Sequence, residues 1–153
     1  MSEASYQNMI DALKTAGYRM TAQRRAICRV LAESKEHPSI QMIFDRLREE
    51  DDTLSLATVY NTLDALTRLG VVNTLGEIGD KDSVRYDADT SPHVNLACVE
   101  CHQIVDISSA HIHSLVKEIS QNSGYTLLGA RVLYYGVCPD CQAKKETTTN
   151  HGI

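Results

Sequence analysis

Ser55-Leu56-Ala57-Thr58-Val59-Tyr60-Asn61-Thr62-Leu63-Asp64-Ala65-Leu66-Thr67-Arg68-Leu69-Gly70-Val71-Val72-Asn73-Thr74-Leu75 is the stretch that decides the fold. Ser55 reads as an N-cap, Val59, Leu63 and Leu66 share one helical face, and Gly70 supplies a stop. Val71 to Leu75 then changes period and reads as a strand. After a Gly/Asp-rich turn, Ser83-Val84-Arg85-Tyr86-Asp87 repeats that texture, so a β-hairpin is expected. Upstream, Tyr6, Met9, Ile10 and Leu13 recur at helical spacing before Gly17. Thr21 caps a second helix that buries Ile27, Val30 and Leu31. Pro38-Ser39 opens a third, with Ile40, Ile43, Phe44 and Leu47 as its stripe. Short helices followed by a hairpin form the winged-helix pattern, in which the last helix enters a DNA major groove. Many small helical domains share that outline.

Residues 88–92 read as a hinge, after which the texture changes. Val94-Asn95-Leu96-Ala97-Cys98 and Ile104-Val105-Asp106-Ile107 read as strands. A helix is expected from about Ser109 to Ser123, with Ile112, Leu115, Val116 and Ile119 on one face, and Tyr125 to Val137 reads as a third strand. The expected class is α/β (α+β). A winged helix over 1–87 precedes a small α/β unit over 93–145 with a three-stranded antiparallel sheet, and 146–153 reads as a disordered tail. So small an α/β unit is marginal alone, which calls for a metal staple and a partner subunit.

The chain has 153 residues, a net charge of −5 and 42% hydrophobic residues. That balance permits a packed core and excludes a uniformly basic nucleic-acid binder. The cations are nonetheless local: Lys14, Arg19, Arg24, Arg25 and Arg29 lie in an acid-free stretch, readable as a solvated helix face or as a phosphate-contacting surface. No apolar run approaches the roughly 20 residues that cross a bilayer. No signal peptide is visible at the start, so a cytoplasmic location is expected.

In that compartment the 5 cysteines point to metal ligation rather than disulfides. Cys98/Cys101 and Cys138/Cys141 are Cys-x-x-Cys pairs, each following a strand. Together they offer four thiolates to one structural zinc per subunit. The alternatives are a thioredoxin-like redox pair, an iron–sulfur cluster or buried thiols; a redox motif would leave one pair unexplained. A zinc hydrolase fits poorly, since four cysteines leave no open coordination position. Cys28 reads as a small buried hydrophobe.

Ser55 to Leu63, the His37-Pro38-Ser39 entry to the third helix, Ile104-Val105-Asp106 and the paired cysteines together resemble the ferric uptake regulator family, over about residues 8–142. The resemblance implies a homodimeric, metal-dependent repressor of double-stranded operator DNA, not an enzyme, without membrane or small-molecule substrate. It implies a regulatory Fe(II) or Mn(II) held by His37, Asp87, His93 and Asp106. Aspartate at both carboxylate positions is similar to the peroxide-sensing branch rather than the iron-sensing one. The branch carries a second histidine where this chain has Asn95, whose amide oxygen is the remaining candidate ligand. A second family site looks absent, its positions holding Pro92, Val94, His113 and Ala130. On the DNA side the resemblance implies contacts from Ala57, Thr58, Tyr60 and Asn61 of the fourth helix. Arg19 would probe the minor groove, and Arg24 and Arg25 would meet phosphates. His102, His111 and His113 are expected to be exposed and His151 to carry no role.

Overall fold

The computed structural model describes residues 2–77, 84–127 and 130–150. The chain forms two compact units, Met1–Ser91 and Pro92–Ile153. In the first, α1 (Ser2–Thr15), α2 (Ala22–Glu33), α3 (Ile40–Arg48) and α4 (Leu56–Arg68) precede a hairpin of β1 (Asn73–Glu77) and β2 (Val84–Asp87). The caps are those the sequence calls for: Thr21, Ser39 and Ser55 accept from the backbone N–H groups of Arg24, Met42 and Thr58. Met9, Leu13, Ile27, Ile43, Val59, Leu63 and Leu66 are all 0% exposed and make one core. β1 and β2 are antiparallel, with Asn73 opposite Asp87 and Thr74 opposite Tyr86. The register slips between Thr74 and Glu77, where Gly76 has a φ of +80°. Only glycine enters that region freely, so the wing bends at this bulge. The turn expected between the strands, together with Ser83, lies outside the described residues.

In the second unit β3 (Val94–Cys98), β4 (Ile104–Ile107), α5 (His111–Ser123), β5 (Val132–Gly136) and α6 (Pro139–Asn150) follow in order. The sheet order is β4-β3-β5. β3 and β4 are antiparallel, but β5 runs parallel to β3, with Val94 opposite Val132 and Cys98 opposite Gly136. The sheet is therefore mixed, not antiparallel throughout. The cysteines explain the direction: a parallel β5 delivers Cys138 to the end of the sheet where Cys98 sits, whereas an antiparallel strand would carry it to the far end.

Three further expectations change in detail. β5 is shorter than the Tyr125–Val137 run. On α5, Ile112 is buried, yet Leu115 and Ile119 are each 46% exposed, so its apolar stripe is only partly covered. α6 has no apolar stripe, so periodicity gives no sign of it. It starts at Pro139, where a missing N–H costs nothing, and takes in residues 146–150 of the segment read as a tail. Residues 151–153, with His151, lie outside the described residues.

Candidate metal centres and nucleic-acid interface

Two tight turns at one end of the β3/β5 pair bring the four cysteines together. In the first, His102 donates its backbone N–H to the Cys98 carbonyl at 2.9 Å and Cys98 donates to Gln103 at 3.0 Å. His102 closes this turn in the left-handed region, with a φ of 64°. In the second, Gln142 N–H reaches the Cys138 carbonyl at 2.9 Å as α6 begins. One sulfur from each of Cys98, Cys101, Cys138 and Cys141 lies within 4.8 Å of the others, and Cys101 and Cys138 are 3.8 Å apart. A tetrahedral zinc with Zn–S near 2.3 Å separates its sulfurs by about 3.8 Å, so the set fits that ion.

The electrostatics agree. The Cys98 thiol is drawn down to about 6, first by the backbone N–H of Cys101 and then by that of Cys138, which lies 3.3 Å from its sulfur. Cys141 is pushed up to about 12, chiefly by its hydrogen bond with Cys138 and then by burial. Four thiols this close cannot all ionise unless a cation joins them. This is a structural zinc site, with every coordination position taken by protein. Cys28 is apart from it, 0% exposed in the first core and raised to about 11 by burial.

The expected regulatory ligands fall in two groups, one in each unit. In the first unit, His37 and Asp87 are 5% and 3% exposed, with His37 Nδ1 3.7 Å from Asp87 Oδ1. Tyr86 N–H donates to the Pro38 carbonyl at 3.0 Å, fastening β2 to the loop before α3. Arg85 adds a clamp that sequence inspection missed. Its guanidinium donates to the carbonyls of Glu36 and His37, each at 3.3 Å, and its Nε is buried without a hydrogen-bond partner among the described residues. His37 has a φ of 51°, a conformation disfavoured for any L-residue. Such strain persists where the surroundings over-determine it, as at ligand clamps.

In the second unit, His93 immediately precedes β3, and its Nε2 lies 3.9 Å from Asp106 Oδ1 on β4. Asn95 is directly opposite Asp106 and, by strand alternation, on the same face as His93. It is 1% exposed. Its Nδ2 donates to the Val132 carbonyl at 3.5 Å, while its Oδ1 is buried with no partner among the described residues. An orphaned buried acceptor costs about 1–3 kcal/mol, so the donor set fits a cation that would take it.

The expected DNA-contacting residues are exposed or partly exposed. Tyr60 is 57% exposed; Ala57 and Asn61 are exposed and Thr58 is partly so. The Thr58 hydroxyl is shared with the Ser55 cap at 2.8 Å. Arg19 and Arg25 are exposed. Arg24 is folded back, donating to the Arg19 carbonyl and lying 5.6 Å from the Tyr18 ring centre. His111 and His113 are exposed, and His102 is partly buried in its turn.

With this geometry in place, comparison with known proteins is specific. The sequence pattern described as "Ferric uptake regulator family" matches residues 15–135. The peroxide-responsive repressor PerR of Staphylococcus aureus (strain USA300) is 33% identical over 142 residues, covering 93% of this chain and 95% of that protein. Among solved structures, PerR from Streptococcus pyogenes superposes with a TM-score of 0.51 at 36% identity, covering 90% of this chain and 93% of that one. The ferric uptake regulator from Pseudomonas aeruginosa with manganese superposes with a TM-score of 0.68 at 26% identity, covering 83% and 95%. The chain belongs to the ferric uptake regulator family of metal-responsive, DNA-binding repressors.

Proposed function

We propose that this repressor responds to hydrogen peroxide through Fe(II) or Mn(II) held by His37, Asp87, His93, Asn95 and Asp106. The observation that carries the proposal is the His37 clamp: a strained, buried imidazole beside a buried aspartate, braced by Arg85 and by the Tyr86–Pro38 hydrogen bond. Aspartate at both carboxylate positions and the likeness to the staphylococcal peroxide-responsive repressor support it. When bound, the metal supplies ligand binding and, as Fe(II), the means to activate peroxide.

His37 and Asp87 belong to the loop before α3 and to the wing. His93, Asn95 and Asp106 belong to the dimerisation unit. Ligation of one ion by these side chains would make DNA binding by the α4 helices of the dimer depend on the metal. Metal and DNA then favour each other by linkage. Tyr60, with the methyl groups of Ala57 and Thr58, faces thymine methyls, and Asn61 reaches a base or phosphate. Arg19 enters the minor groove and Arg25 meets phosphates, with salt-dependent effect. Peroxide transfers one oxygen atom to the ring of His37 or His93 and leaves as water. The altered ring ligates poorly, and DNA is released.

Mass spectrometry after anaerobic Fe(II) loading and one equivalent of peroxide tests this. Addition of one oxygen to His37 or His93, in step with loss of DNA binding, is expected. An unmodified protein that stays on DNA supports the second reading, an iron- or manganese-responsive repressor without peroxide sensing. Asn95 favours that alternative, because an amide at this position removes one oxidisable ring.

A further inference from the structure

Asn95 carries an observation that packing alone does not explain. It lies in the middle strand of a three-stranded sheet, 1% exposed, and its amide orientation follows from its neighbour. The Val132 carbonyl accepts from Nδ2, and a flipped amide would set two acceptors against each other. The oxygen is thereby turned away from β5 and left buried without a donor. On the same face stand the Asp106 carboxylate and the His93 imidazole, 3.9 Å apart.

We infer that Asn95 Oδ1 is an oxygen ligand of the regulatory ion and shifts its preference from iron towards manganese. The inference rests on the regulatory site proposed above. With Asn95 in place the donor set is two imidazoles and three oxygens, where a histidine would make three imidazoles. Carbonyl and carboxylate oxygens suit Mn(II), whereas imidazole favours the later divalent metals. The exchange of nitrogen for oxygen therefore costs Fe(II) more than Mn(II). It also leaves His37 and His93 as the only rings in the set open to oxidation.

The test uses full-length zinc-loaded protein under anaerobic conditions. Mn(II) is followed by the electron paramagnetic resonance of the free ion, and Fe(II) by competition with a chelator. Asn95→Leu keeps the branched side-chain skeleton without its oxygen and should weaken Mn(II) by about tenfold or more, and Asn95→His should raise the Fe(II)/Mn(II) affinity ratio by about tenfold. Thermal unfolding gives a second readout. Mn(II) should raise the Tm of the zinc-loaded wild type, and Asn95→Leu should abolish that rise.

Wild-type Mn(II) affinity in Asn95→Leu, alongside its loss in His37→Ala, would overturn the inference while leaving the site standing. If His37→Ala binds Mn(II) as tightly as wild type, the regulatory site itself is wrong.

Discussion

At the residue scale the chain separates two kinds of ligand chemistry. Thiolates gather at one end of the second unit; imidazoles and carboxylates occupy the His37 loop, the end of the wing and the β3/β4 face. Arg85 is the residue whose role was least visible beforehand. It sits in an ordinary strand pattern, and only the fold brings it under the carbonyls of Glu36 and His37. Hydrogen bonds from a charged donor contribute about 1.5–3 kcal/mol. Arg85→Ala should therefore release the His37 backbone and weaken regulatory-metal binding by about tenfold or more, while the four-cysteine zinc is retained. Metal analysis and Mn(II) titration of the same preparation check both statements, and an unchanged Mn(II) affinity would remove Arg85 from the clamp. His37, Asp87, His93 and Asp106 were legible only through family resemblance, because a lone histidine before proline or an aspartate ending a strand has no local signature. The cysteine pairs were legible from spacing alone, since their residue type and repetition leave few other uses.

At the scale of elements, capping residues and apolar periodicity specified most of the first unit: Thr21, Ser39 and Ser55 mark their helices as expected. The sequence misled in the second unit, where metal chemistry rather than periodicity directs the chain. β5 runs parallel because Cys138 must reach Cys98, and α6 follows the second cysteine turn without any apolar face of its own. Lys145 meets Glu100 at 2.6 Å, but both side chains are about half exposed (59% and 44%), so the pair contributes little beside the metal. Zinc release should accordingly be decisive. Structural zinc contributes on the order of 10 kcal/mol in small domains, more than so small a unit has to spare. Cys101→Ser, or chelation of the wild type, should unfold the Pro92–Ile153 unit and leave the helical core of the first unit intact. Hydrogen exchange resolved by segment would show this as lost protection in β3, β4, α5 and β5, with α1 to α4 still protected. Retained protection there would mean that the sheet stands without its staple.

At the scale of the whole molecule, one face of the β4-β3-β5 sheet is unusually apolar for a surface. Leu96, Val105 and Ile107 are 39%, 40% and 43% exposed, and Tyr134 is 60% exposed. Alternation and register put all four on the same side. Repressors of the family bind operator DNA as dimers, and a patch of this kind is what a second copy would cover. Leu96→Asp places a charge at its centre and should weaken self-association by at least about a hundredfold, as burying an unpaired carboxylate requires. Sedimentation equilibrium of the zinc-loaded variant measures it. A dimer of wild-type strength would move the interface to another surface, such as the exposed side of α5.

The central claim is that a second, non-thiolate metal site built on His37 governs DNA binding. The most direct measurement is fluorescence anisotropy of a duplex selected by the Mn(II)-loaded protein, titrated with zinc-loaded wild type and His37→Ala, with and without Mn(II). Tight binding that requires Mn(II) in the wild type and is lost in His37→Ala, with zinc content unchanged, is the predicted result. DNA binding indifferent to Mn(II), or equally Mn(II)-dependent in His37→Ala, would contradict it.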